Sequence, residues 1–195
     1  MRWTSLHKIA ISLPLAVLAA LSLVAINEAG FQRSHDALEQ LAHSQSTRSS
    51  VNRLLQSMLD AETGHRGYLL TGDNRYLEPY EGAVTTVHSN LEQLRMLMTD
   101  SAEDLADFSR LSGQISRKLS EMELSLHLRR KGQEDAWKFV MSTDVGKENM
   151  DAIRQHSRAL IERSNQRVGV SQADIRQSLV LSRMGIALVT AIGLL

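Results

Sequence analysis

The sequence predicts an all-α protein, an antiparallel up-down-up-down four-helix bundle whose outer helices continue into two transmembrane helices. Three observations predict it. Apolar residues recur three and four apart over long stretches, which is the period of one helix face. The composition suits helices, with only two prolines and few aromatics in 195 residues. Uncharged apolar runs stand at both ends, from Ile9 to Ile26 and from Met184 to Leu195.

Residues 1–8 carry Arg2 and Lys8 and are expected in the cytoplasm, because basic residues before a span stay inside. The run 9–26 approaches the roughly 20 apolar residues that cross a bilayer. Pro14 within it is tolerable in a membrane helix. The rival reading is a cleaved signal peptide, with Ala19-Ala20 as its small residues. An uncleaved anchor is preferred, since the run is long for a signal core and a second apolar run closes the chain. Residues 27–178 form the expected domain between the two spans, outside the cytoplasm. Residues 179–195 form a second span, short by itself, with Arg183 near its outer edge, so the chain looks cut inside that helix.

Four amphipathic patterns fill 27–178. The first has Leu38, Leu41, Val51, Leu54, Leu55 and Met58 as apolar positions, interrupted by a polar stretch from His43 to Ser50. That weak seam is either a solvated face or a contact with a partner subunit. The second is the most regular: Leu77, Tyr80, Val84, Val87, Leu91, Leu94 and Met98 alternate three and four apart. Thr99-Asp100-Ser101 breaks it and offers a cap. The third seam reads Leu105, Phe108, Ser112, Ile115, Leu119, Met122 and Leu126, and it ends at Arg129-Arg130-Lys131-Gly132. The fourth starts near Gln133, is broken or kinked around Ser142-Thr143-Asp144 and Gly146, and resumes with Met150, Ile153, Leu160, Ile161, Val168 and Ile175.

The stretch from Asp60 to Tyr80 joins the first two patterns and organises the rest. Glu62 and Arg66 stand four apart with the acid first, so a helix lets them pair. Met58, Glu62, His65 or Arg66, and Leu69 share a stripe where apolar residues are wanted. Gly64 and Gly67 each cost a helix about 1 kcal/mol relative to Ala, which points to close approach by a neighbour. Thr71-Gly72-Asp73-Asn74 is a break, with Asp73 or Asn74 able to cap the next helix. Pro79 falls in the first turn of that helix, where a missing N–H matters least.

These residues resemble the signature of the type 3 CHASE domain, an extracellular sensor module of bacterial receptors. The matching positions are Glu62-Thr63, then Arg66-Gly67-Tyr68-Leu69-Leu70-Thr71-Gly72-Asp73, then Tyr76-Leu77-Glu78-Pro79-Tyr80. The family usually has Gln before the Arg, and this chain has His65. A looser segment matches at Gly132, Ala136, Val140, Thr143, Gly146, Met150-Asp151 and Ile153-Arg154. The resemblance covers roughly residues 27–178. It implies a sensory input module whose output is often a histidine kinase, and sometimes a diguanylate cyclase or chemoreceptor module. It also implies a homodimer in the bilayer of the cytoplasmic membrane.

No catalytic chemistry is expected. The chain lacks Gly-rich phosphate loops, HExxH and Ser-centred elbows. It has no cysteine, and its 22 acids balance 22 bases, so no whole-chain field points to nucleic acid. No cofactor and no metal are expected from the scattered His, including His35 and His43. Glu62 and Arg66 read either as a structural ion pair or as contacts to an unidentified small polar ligand. Tyr68, Tyr76 and Tyr80 read as core aromatics. The rival to a sensor is a membrane-tethered structural bundle without a ligand.

Overall fold

The computed structural model describes residues 3–99 and 101–194; side chains are described for only some residues before Ala20 and beyond Gly169. Met1, Arg2, Asp100 of the expected 99–101 break, and Leu195 lie outside the described residues. The described chain is helical throughout, without a strand: α1 Trp3–Thr71, a 3-10 turn Asn74–Tyr76, α2 Leu77–Leu97, α3 Ala102–Arg130, α4 Glu134–Ser142 and α5 Val145–Leu194. It divides into two compact units, His43–Asn165 and Met1–Ala42 with Gln166–Leu195.

Each helix boundary has a local cause. Gly72 adopts φ +71° and donates its N–H to Tyr68 O at 2.7 Å, closing α1 with a left-handed cap. Asp73 caps the 3-10 turn by accepting from Arg75 N at 2.9 Å. Ser101 caps α3 by accepting from Asp104 N, while its hydroxyl donates to the Asp104 carboxylate. Gly132, at φ +70°, ends α3 through paired bonds from Gly132 N to Arg129 O and from Gln133 N to Leu128 O. The expected kink in the fourth pattern is a full interruption between α4 and α5 at Thr143-Asp144.

Within His43–Asn165 the helices bury a shared core of Val51, Leu54, Met58, Val87, Leu94, Leu111, Ile115, Met122, Ile153 and Leu160. Contacts between α1 and α2 run in opposite order: His43 Nε2 donates to Leu97 O, Asn90 donates to Ser57 Oγ, and Gly64 lies against Tyr76 and Tyr80. Contacts between α3 and α5 also run in opposite order, from Arg163 with Glu103 and Asp107 to Asn149 with Glu121. Those between α1 and α3 run in the same order, Glu62 with Lys118 and His65 with Ser125.

Two expected seams differ from those observed. The polar stretch of α1 is neither solvated nor reserved for a partner on its inner side: Ser44, Thr47 and Ser50 are buried in the unit's own core. Short hydroxyl side chains fill the space between closely approaching helices as an alanine would. In α3 the buried face is rotated by about one residue. Asp104, Asp107, Leu111, Ile115, Lys118, Met122, Ser125 and Leu126 are buried, whereas Leu105 is 42% exposed and Phe108 and Leu119 are only partly covered. Charged residues join this face because partners compensate them, as burial of charge requires.

The seam of α2 sits as its spacing predicts, with Tyr80, Val87, Leu94 and Met98 buried and Val84 and Leu91 half-buried. Leu94→Ala should therefore cost about 2–5 kcal/mol. Gln93→Ala, on the exposed face, should stay within about 0.5 kcal/mol. Denaturant melts of the solubilised full chain would measure both, and equal losses would refute this register.

In the other unit, Val17, Leu21, Val24, Phe31 and Leu38 are exposed. Among the described residues, no helix is long and apolar enough to cross a membrane.

Candidate functional site

The last turns of α1 sort the signature residues into three sets. The first set packs. Gly64 has no side chain where a Cβ would lie 3.0 Å from Tyr76 O and 3.0 Å from Tyr80 N. Tyr76, expected in the core, is 41% exposed: its ring lies over Gly67 so closely that a Cβ there would overlap it. Tyr68 and Tyr80 are buried, and burial, with Glu123 nearby, pushes the Tyr80 hydroxyl up to about 12. Both glycines thus let the backbone of α1 approach the start of α2. Gly64→Ala gains about 1 kcal/mol of helix propensity. Its new methyl meets backbone atoms that cannot swing aside, and overpacking of this kind costs about 1–3 kcal/mol. The variant should be a net loss in a thermal melt; a stabilised variant would show that the close approach is dispensable.

The second set builds the turn. Thr71 donates to Gly67 O and accepts from Asp73 N, and Asp73 binds Arg75 through both carboxylate oxygens. The Arg75 side chain holds the Asp73 carboxyl below its ordinary value. Pro79 is exposed within the first turn of α2. Thr63 is exposed, and its hydroxyl donates to Leu59 O on its own helix.

The third set carries charge. Arg66 pairs with Glu62 at 2.7 Å; the Glu62 side chain is 13% exposed and that of Arg66 is 56% exposed. His65, rather than Arg66, occupies the buried stripe, at 2% exposure. Its Nε2 lies 2.6 Å from Ser125 Oγ. The Ser125 hydroxyl also lies within hydrogen-bond distance of the carbonyls of Glu121 and Met122. Burial, then the charges of Lys118 and Arg66, lower His65 to about 4. It is therefore neutral near pH 7.

Sequence periodicity does not reveal the centre of this network. Lys118 falls three residues after Ile115 and four before Met122, on the apolar stripe itself, and its side chain is 3% exposed. It lies 3.3 Å from Glu121 and 3.8 Å from Glu62. Asn149 of α5 reaches Glu121 at 3.5 Å. The signal that could have found Lys118 is the i,i+3 spacing to Glu121 combined with its seam position.

A polar cavity of about 180 Å³ lies beside this network, between α1, α3 and the α4–α5 junction. Arg66, Lys118 and Glu121 line it from α1 and α3, and Asp144, Gly146 and Lys147 from the α4–α5 junction and the start of α5. Among the described residues, no group of three or more His, Asp or Glu is placed to hold a metal ion.

The model of the CHASE3 domain family matches residues 37–174, most of the chain. The chain belongs to the CHASE3 family. CHASE3 domains are sensor domains, so this chain is a sensory input domain. The chain is also similar to the crystal structure of the Rhodopseudomonas palustris histidine kinase HK9 sensor domain, at 23% identity over 75% of this chain and 98% of that one, with a TM-score of 0.42. No curated protein matches. In this CHASE3 domain the signature residues Glu62 and Arg66 adjoin the cavity network, whereas Gly67, Tyr68, Thr71, Gly72, Asp73, Tyr76, Pro79 and Tyr80 form the turn and its packing.

Proposed function

We propose that this chain is the membrane-anchored, extracytoplasmic input module of a bacterial receptor. Residues 9–26 and 179–195 are its two membrane helices, 27–178 its up-down-up-down sensor bundle, and a histidine kinase of a two-component system its output. The receptor works as a homodimer in the cytoplasmic membrane. The observation that carries the reading is continuity. α1 is one helix from Trp3 to Thr71 and α5 is one helix from Val145 to Leu194, so each apolar end and its bundle helix are a single element. An unbroken helix passes a shift, tilt or rotation along its length, which a flexible joint would absorb. A stimulus that favours one of two bundle arrangements would then reach the far side of the membrane.

The chain has no cysteine, so single engineered cysteines report topology cleanly. Ser49 and Ser89 are exposed on α1 and α2. Ser49→Cys and Ser89→Cys should react with an impermeant maleimide in intact cells with a permeabilised outer envelope. Labelling only after lysis would overturn the orientation.

A further inference from the structure

We propose that the cavity under the α4–α5 junction binds a small zwitterion of the α-amino-acid class. The proposal rests on the sensory reading above and names the ligand class for that same site. The volume of about 180 Å³ equals about six waters at about 30 Å³ each. That space suits a molecule the size of alanine or serine and is too small for a nucleotide.

The wall charges select the ligand class. Arg66, Lys118, Lys147, Glu121 and Asp144 line the cavity, and Glu62 is paired with Arg66 and near Lys118. Three positive and three negative groups cancel. A simple anion or cation would upset this balance of charge. A zwitterion adds no net charge and offers both signs.

The geometry also orients it. The carboxylate belongs at the Arg66–Lys147 side. Arg66 gives Nη2 to Glu62, and a guanidinium has further donors for a second carboxylate. Lys147 lies in the first turn of α5, where backbone amides lack intrahelical partners and the helix field favours an anion. The ammonium belongs at Glu121 and Asp144. Gly146 makes room for the Glu121–Lys118 pair, since a Cβ there would crowd Glu121 Oε1 and lie 3.0 Å from Lys118 Nζ. The site touches α1, α3 and the start of α5, so an occupant would clamp α5 to the other two.

Isothermal titration of the solubilised full chain with glycine, L-alanine and L-serine tests this. Acetate and ethylammonium, each with one of the two charges, are the comparators. Saturable binding is expected for at least one amino acid, with both comparators about tenfold weaker or more. Lys147→Gln, at an exposed position, should weaken it by about tenfold. Gly146→Ala should do the same by moving Glu121 into the space, and retained helicity by circular dichroism would show that both variants fold. The proposal fails if none of the three amino acids binds saturably, if acetate binds as tightly, or if both variants bind like the parent. Cysteine labelling at positions 49 and 89 does not depend on ligand, so such a failure would leave the sensory reading standing or falling on its own result.

Discussion

Lys118→Met should destabilise the folded chain by about 3–5 kcal/mol, the usual cost of removing one partner from a buried ion pair. The lysine side chain is 3% exposed and stands between Glu121 and Glu62. Without it, Glu121 keeps only Asn149 as a neighbouring donor across the helices, and Glu62 keeps only Arg66. Glu121→Gln should also destabilise, because it leaves the buried ammonium with Glu62 at 3.8 Å. The two losses share one cause. The double variant should therefore cost less than their sum by more than about 1 kcal/mol. Arg66→Met should behave differently, since the Arg66 side chain is 56% exposed and surface pairs contribute under about 1 kcal/mol. Denaturant titrations of the single and double variants measure the coupling. Strict additivity of the Lys118 and Glu121 losses would show that the network is not a unit.

Acidification should destabilise the chain through His65. Its folded-state value is lowered to about 4 from an ordinary 6.5, mainly by burial, then by Lys118 and Arg66. The sign follows from proton binding. The unfolded chain takes up a proton as pH falls through 6.5, while the folded chain refuses it until about 4. Between these values the unfolded state binds more protons, so stability falls with pH. From pH 7.5 to 4.5 this one group should remove about 2–3 kcal/mol. Beside burial, charged groups from two packed helices set the effect: Lys118 on α3 and Arg66 on its own helix, with Glu62 and Glu121 paired to those cations. Subtracting the pH profile of His65→Gln from that of the parent cancels the carboxylates that titrate in both. A flat difference across that window would contradict a buried, neutral imidazole.

Helix pattern and site differ in how far they could be read from sequence. The α2 face was legible because Tyr80, Val87, Leu94 and Met98 repeat at helical spacing and are apolar, so pattern and burial coincide. The α4–α5 break was legible because Thr143, Asp144 and Gly146 favour backbone turns over helix interiors. The α3 face was misplaced by about a residue. Spacing allows either Lys118 or Leu119 between Ile115 and Met122 and favours the apolar residue, as it favours Leu105 and Phe108 over Asp104 and Asp107; three-dimensional pairing shows that the charged residues point inward. Ser44, Thr47 and Ser50 were ambiguous for a related reason: a hydroxyl of that size suits both solvent and a tight interface. Arg66 and Glu62 were found from their spacing, but their neighbours Lys118 and Glu121 lie over 50 positions away and no local rule links the two pairs.

The glycine contact between α1 and α2 has a mechanical consequence. Gly64 receives the backbone of Tyr76 and Tyr80 as a notch receives a pawl. Advancing α1 by one residue along its screw, about 1.5 Å with about 100° of rotation, would bring a side-chain-bearing position against those atoms. The α1–α2 hairpin is thus latched along its axis, further pinned by Asn90 on Ser57. Between α5 and α3 the close glycine contact is of another kind: Gly146 meets the side chains of Glu121 and Lys118, and Asn149 on Glu121 and Arg163 on Glu103 and Asp107 add side-chain bridges. Long flexible side chains can follow a sliding neighbour and re-pair. The α1–α2 hairpin is thus keyed by backbone against glycine, whereas the polar contacts of α5 with α3 run through side chains.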